Sequence, residues 1–149
     1  MSAGQLLGGL DARDDRIVVA DLAAGLANVI LASASAPPDL LIVMVEPYLR
    51  SAEVTHRLLS YADVYAIPHT LLVANRIDNP DDLDTLAAFL GDVAPDIVMP
   101  SDPGVAEADR FGLAPLDHAN AGDAVAAVER LAYEVRTVTT GQTAQESRL

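Results

Sequence analysis

Six residues in this 149-residue chain have the type and placement to do chemistry. Asp21 follows the apolar run Ile17-Val18-Val19-Ala20, where a carboxylate suits a Mg²⁺ ion, held directly or through water. Gly25 lies four residues on. It lets a backbone amide approach a phosphate, or serves as an ordinary turn glycine. Asn75 and Arg76 follow the run Thr70–Ala74, and the carboxamide offers a paired donor and acceptor for a base edge. The plainer role for Asn75 is to end a strand in a turn. Pro100 and Asp102 sit in the loop Pro100-Ser101-Asp102-Pro103. Asp102 could touch a base or a ribose, but it is at least as well placed to cap a helix starting at Pro103.

Other chemistries are excluded by composition. The chain has no cysteine, which removes disulfides, thiol catalysis and cysteine-ligated metals. All nine basic residues are arginine, so no site here uses a lysine. His56, His69 and His118 lack metal-ligand spacing and read as surface or boundary residues. Ser33 and Ser35 have no base beside them. The net charge of −13 argues against nucleic acid and against an anionic membrane surface. The longest apolar run, Leu40–Val45, is far too short to span a bilayer, so no membrane insertion is expected. With no basic, apolar leader at residues 1–16, a cytoplasmic location is expected.

The elements that must position these residues alternate. Ile17–Ala20, Leu40–Val45, Thr70–Ala74 and Ile97–Met99 read as strands buried on both faces. Helices are predicted over 51–65, with Ser51 as N-cap and a stripe of Val54, Leu58, Tyr61 and Tyr65, and over 81–90. The second of these is capped by Asn79, opened by Pro80 and closed by Gly91. A helix over 121–137 carries Val125, Val128, Ala132 and Val135; shorter helices are expected at 3–10, 24–34 and 104–111. The pattern implies an α/β fold of three layers, a mostly parallel sheet flanked by helices. Residues 1–138 form one domain in this reading, and 139–149 a flexible tail. In such a sheet ligands gather at the carboxyl ends of the strands, where all six candidates fall.

These residues resemble the MinD/ParA-type ATPases, and most closely the carbon monoxide dehydrogenase maturation ATPases that support nickel insertion. Four segments carry the resemblance: Val18-Val-Ala-Asp-Leu-Ala-Ala-Gly-Leu26, Val45-Glu-Pro-Tyr-Leu-Arg-Ser51, Val73-Ala-Asn-Arg-Ile77 and Met99-Pro-Ser-Asp-Pro through Gly112. They follow the family's order across residues 16 to 135. The resemblance implies Mg-ATP or Mg-ADP as ligand. Asp21 would stand on the Mg²⁺ and attacking-water side and Gly25 near the γ-phosphate. Asn75, with Arg76 beside it, would face adenine, and Pro100 and Asp102 would line the base pocket.

The sequence also departs from the family. Its glycine-rich, lysine-bearing phosphate loop has no counterpart: Gly4–Gly9 follows no strand and precedes no lysine. The upstream switch aspartate and the Cys-x-Cys metal motif are also missing. The resemblance therefore covers the C-terminal part of a P-loop NTPase-like domain, incomplete on the phosphate side and not expected to hydrolyse ATP alone. In the family the phosphate-loop strand lies beside the strand carrying the acidic motif. Without it two apolar strand edges need cover. Self-association as a homodimer, a separate N-terminal half-domain, or direct pairing of 16–21 with 40–45 would each supply it. A non-catalytic dimerisation module and a truncated gene product are the alternative readings.

Overall fold

A computed structural model describes residues 17–22, 37–118 and 122–146. The helices expected at 3–10 and 24–34 lie outside these residues, and so does Gly25. Three strands, β1 (Leu40–Val45), β2 (His69–Ile77) and β3 (Ile97–Pro100), form one parallel sheet in the order β1-β2-β3. Helices α1 (Leu49–Val64) and α2 (Pro80–Leu90) make the two crossovers. Helix α3 (Pro103–Arg110) follows β3, a 3₁₀ turn spans Pro115–Asp117, and α4 (Gly122–Glu146) ends the described chain.

One face of the sheet holds the main core. Val43 and Val45 of β1 with Leu72, Ala74 and Ile77 of β2 pack against Ala52 of α1 and Leu86 and Leu90 of α2. Side chains alternate along a strand, so Leu71 and Val73 turn to the opposite face. There α4 packs on β3, burying Ala124 and Ala127. Both faces of the sheet are thereby covered by helices, which is why β2 reads as an unbroken apolar run. Asp96 pins the entry to β3: its carboxylate accepts from Leu72 N–H at 2.7 Å and its own N–H donates to the Leu72 carbonyl at 2.8 Å.

The local chemistry of α2 matches its sequence. The Asn79 side chain accepts from Asp81 N–H at 2.9 Å, the Asp82 carboxylate reaches back to Asn79 N–H, and Gly91 closes the helix at φ 67°.

Several expectations need correction. Ile17–Ala20 is not a strand: residues 17–22 have no regular structure, and Ile17, Val18 and Val19 are exposed. A run this apolar needs partners on its edges, and β1 pairs with β2 alone among the described residues, so the direct pairing of 16–21 with 40–45 is not formed. Tyr48, not Ser51, is the N-cap of α1. Ser51 lies inside the first turn and its hydroxyl accepts from Glu46 N–H at 3.0 Å, tying the helix start to the end of β1. Of the stripe Val54–Leu58–Tyr61–Tyr65, Tyr61 is buried, Leu58 packs against the core and Tyr65 is exposed, while Ala52, Thr55 and Ala62 are buried beside it. On α4 the packed residues are Ala124 and Ala127, with Val128 exposed. Small residues there let the helix approach the sheet closely, which a valine stripe would prevent. Helix α4 also runs to Glu146, beyond the expected end at 137.

Candidate functional site

Parallel strands deliver all three carboxyl ends to one edge of the sheet. That edge is built from Glu46 after β1, Asn75 and Arg76 in β2, Pro100 at the end of β3, and Ser101 and Asp102 after it.

The β2 contribution is shaped by a bulge. Ala74 pairs with Val98 and Ile77 with Pro100, so three steps along β2 face two along β3. The extra residue is accommodated by Arg76 at φ 57°, the left-handed region that a residue with a Cβ enters at a cost of roughly 1–2 kcal/mol. Strain of this kind at a strand end re-aims side chains. Asn75 is half-buried there, and its amide has no hydrogen-bond partner among the described residues, which leaves it open to a ligand. Arg76 is swung outward and meets Glu46 Oε1 at 3.6 Å. At 72% side-chain exposure this ion pair is loose and contributes little to stability. Glu46 had no assigned role from sequence; the adjacency of β1 and β2 is what brings it to Arg76.

The β3 contribution is tied down by backbone hydrogen bonds. Ser101 N–H donates to the Ile77 carbonyl at 2.9 Å, joining the loop to the end of β2. Asp102 Oδ1 accepts from Gly104 N–H at 2.8 Å, capping α3, and Oδ2 accepts from Ala124 N–H at 3.1 Å in the first turn of α4. One carboxylate thus holds the starts of two helices, where it also meets their positive dipole ends. Each oxygen keeps further lone pairs, so these bonds do not close the group to a ligand.

Asp21 is exposed in the irregular segment 17–22. Among the described residues no three His, Asp or Glu side chains gather as a metal cage. A lone carboxylate fits Mg²⁺ only where phosphate oxygens and water complete the shell. The structure therefore brings Asn75, Arg76, Pro100 and Asp102 to one edge and leaves Asp21 in irregular chain. Two shallow hollows lie elsewhere, one on α1 around Arg57, Tyr61 and Tyr65 and one on α4 around Tyr133 and Arg136.

No protein-family model matches the chain, and no curated protein matches it. Among solved structures the chain is similar to one in the MinC:MinD cell division protein complex of Aquifex aeolicus, with a TM-score of 0.51 and 16% identity over 68% of this chain and 45% of that one. It is likewise similar to the MinD cell division protein of Aquifex aeolicus, with a TM-score of 0.50 and 16% identity over 68% of this chain and 46% of that one. The chain thus spans less than half the length of the structures it matches. At this identity the likeness is one of fold: the open parallel α/β sheet described here is arranged as part of the sheet of MinD.

Proposed function

We propose that this chain forms the base-recognition side of a MinD-like nucleotide-binding domain, takes Mg-ATP or Mg-ADP weakly, and does not hydrolyse ATP by itself. The observation that carries this reading is the juxtaposition of the Asn75–Arg76 bulge with the Pro100–Asp102 loop at the carboxyl edge of a sheet of MinD type. Asn75 reads the adenine edge through its free amide. Pro100 and Asp102 wall the base, and Arg76, released from Glu46, supplies positive charge toward the phosphates. Asp21 and Gly25 stand on the metal and γ-phosphate side. Hydrolysis needs a preorganised grip on the transferring phosphoryl group. The 149 residues contain no lysine and no glycine-rich loop after a strand to make one. The resemblance of its sequence segments to the carbon monoxide dehydrogenase maturation ATPases supports a role in metallocentre assembly, with a separate N-terminal half or a second copy as partner.

Calorimetric titration of the purified chain with ATP and ADP, with and without Mg²⁺, tests this. Saturable binding that Asn75→Ala weakens about tenfold, on the order of 1.4 kcal/mol, is the expected result. No heat at millimolar nucleotide would reject it. A second reading, a binding module without nucleotide, draws on the similar chain in the MinC:MinD complex, and it would then stand.

A further inference from the structure

At the carboxyl edge Glu46 has a pinned backbone and a loosely held side chain. Its N–H donates to Ser51 Oγ at 3.0 Å, and its carbonyl accepts from Tyr48 N–H at 2.7 Å. Pro47, next in the chain, further favours extended backbone at Glu46. The carboxylate meets Arg76 Nη1 at 3.6 Å, and the two side chains are 31% and 72% exposed. Asp102 differs, since each of its oxygens already accepts a backbone N–H.

The strand register sets Glu46 beside the amide assigned to the base. Val45 pairs with Ala74, so Glu46 and Asn75 follow side by side, one strand spacing of roughly 4.8 Å apart. Pro100 and Asp102 lie on the other side of Asn75, at the end of β3. A base held between Asn75 and that loop has its sugar on the β1 side when its phosphates reach for Arg76, because Arg76 leans toward Glu46. Moving Arg76 to a phosphate strips Glu46 of its counter-ion. A part-buried carboxylate left without donors is costly. Phosphate oxygens accept and do not donate, so they repel it. The 2′- and 3′-hydroxyls of a ribose are donors, and a vicinal pair matches the two oxygens of one carboxylate.

We propose, on the nucleotide reading above, that Glu46 reads the ribose and makes this edge selective for ribonucleotides over 2′-deoxyribonucleotides. Binding exchanges one ion pair for two contacts. Arg76 passes from Glu46 to phosphate, and Glu46 passes from Arg76 to the 2′- and 3′-hydroxyls. The exchange leaves neither charge without a partner. It is also easily made, because the pair it breaks is exposed and weak.

Calorimetric titration of the full chain with ATP and with 2′-deoxy-ATP, in the wild type and in Glu46→Ala, tests this. The wild type is expected to bind ATP about tenfold more tightly than 2′-deoxy-ATP, the effect of one charge-assisted hydrogen bond in a site open to solvent. In Glu46→Ala that preference is expected to vanish. The ratio of the two affinities is the readout, because removing a negative charge beside the phosphates favours both ligands alike. Circular dichroism checks that the variant folds, and Glu46→Gln, which keeps one acceptor oxygen, is expected to retain part of the preference. Asn75-dependent binding of both nucleotides with equal affinity would overturn the ribose assignment and leave the base pocket standing. A preference for ATP that survives unchanged in Glu46→Ala would overturn it too, since another group would then hold the sugar. No heat with either nucleotide would overturn the ribose assignment and the nucleotide reading together.

Discussion

At the scale of single residues, stability and ligand binding come apart at the carboxyl edge. Arg76 holds a left-handed backbone conformation and makes only a loose, exposed ion pair with Glu46. Glycine relieves the Cβ clash but enlarges the unfolded ensemble, and the first effect is the larger where φ is positive. Arg76→Gly is expected to stabilise the fold by about 0.5–1 kcal/mol in urea denaturation while weakening nucleotide binding in calorimetry. A loss of stability would mean that the Glu46 contact matters more than its exposure implies. Asp102 is the opposite case, because its two oxygens accept backbone N–H groups from two helices. Asp102→Ala leaves both donors unpaired and is expected to cost about 1–3 kcal/mol. Asp102→Asn, which keeps one acceptor, is expected to lose roughly half of that. Equal losses for the two would show that the bond to Ala124 contributes nothing.

At the scale of elements, the sheet and its helices divide the work unequally. Helix α2 is self-sufficient: its capping box, its proline start and its glycine end satisfy the terminal backbone groups, and Leu86 and Leu90 are sealed in the core. Truncating Leu86, at 1% exposure among β1, β2 and α1 residues, removes transfer energy and leaves a cavity. Leu86→Ala is expected to cost 2–5 kcal/mol, roughly, in a domain with only a few kcal/mol to spare, so its thermal unfolding midpoint falls steeply. Helix α1 has no such closure. Ala52, Thr55, Tyr61 and Ala62 are its buried residues, and Leu58 and Leu59 pack against the core beside them.

At the scale of the whole molecule, charge works against self-association. With a net charge of −13 per chain, two copies repel at long range, and salt screens that repulsion without weakening strand pairing or aromatic packing. A homodimer, one of the partners proposed for this chain, is therefore expected to tighten, severalfold in its dissociation constant, as ionic strength rises from about 10 mM to physiological values, where the Debye length shrinks from roughly 30 Å to 8 Å. Dissociation on adding salt would point instead to an interface built on ion pairs.

What the amino-acid order determined by itself is whatever depends on neighbours within a few residues. Leu40–Val45 is a strand because six apolar residues in a row suit burial on both faces, and α2 begins and ends where Asn79, Pro80 and Gly91 place it. The alternation of such segments was enough for the parallel α/β class and for the gathering of Asn75, Arg76, Pro100 and Asp102 at one edge. Tertiary structure decided what depends on partners distant in sequence. Ile17–Ala20 has the composition of a strand and is not one, since a strand exists only with an edge to pair to. Arg76 takes a positive φ because β3 is one residue short of matching β2, which no local pattern records. Tyr61 and Tyr65 keep helical spacing and stack at 4.3 Å, yet Tyr61 is buried and Tyr65 exposed, because burial along a helix is set by what the helix packs on.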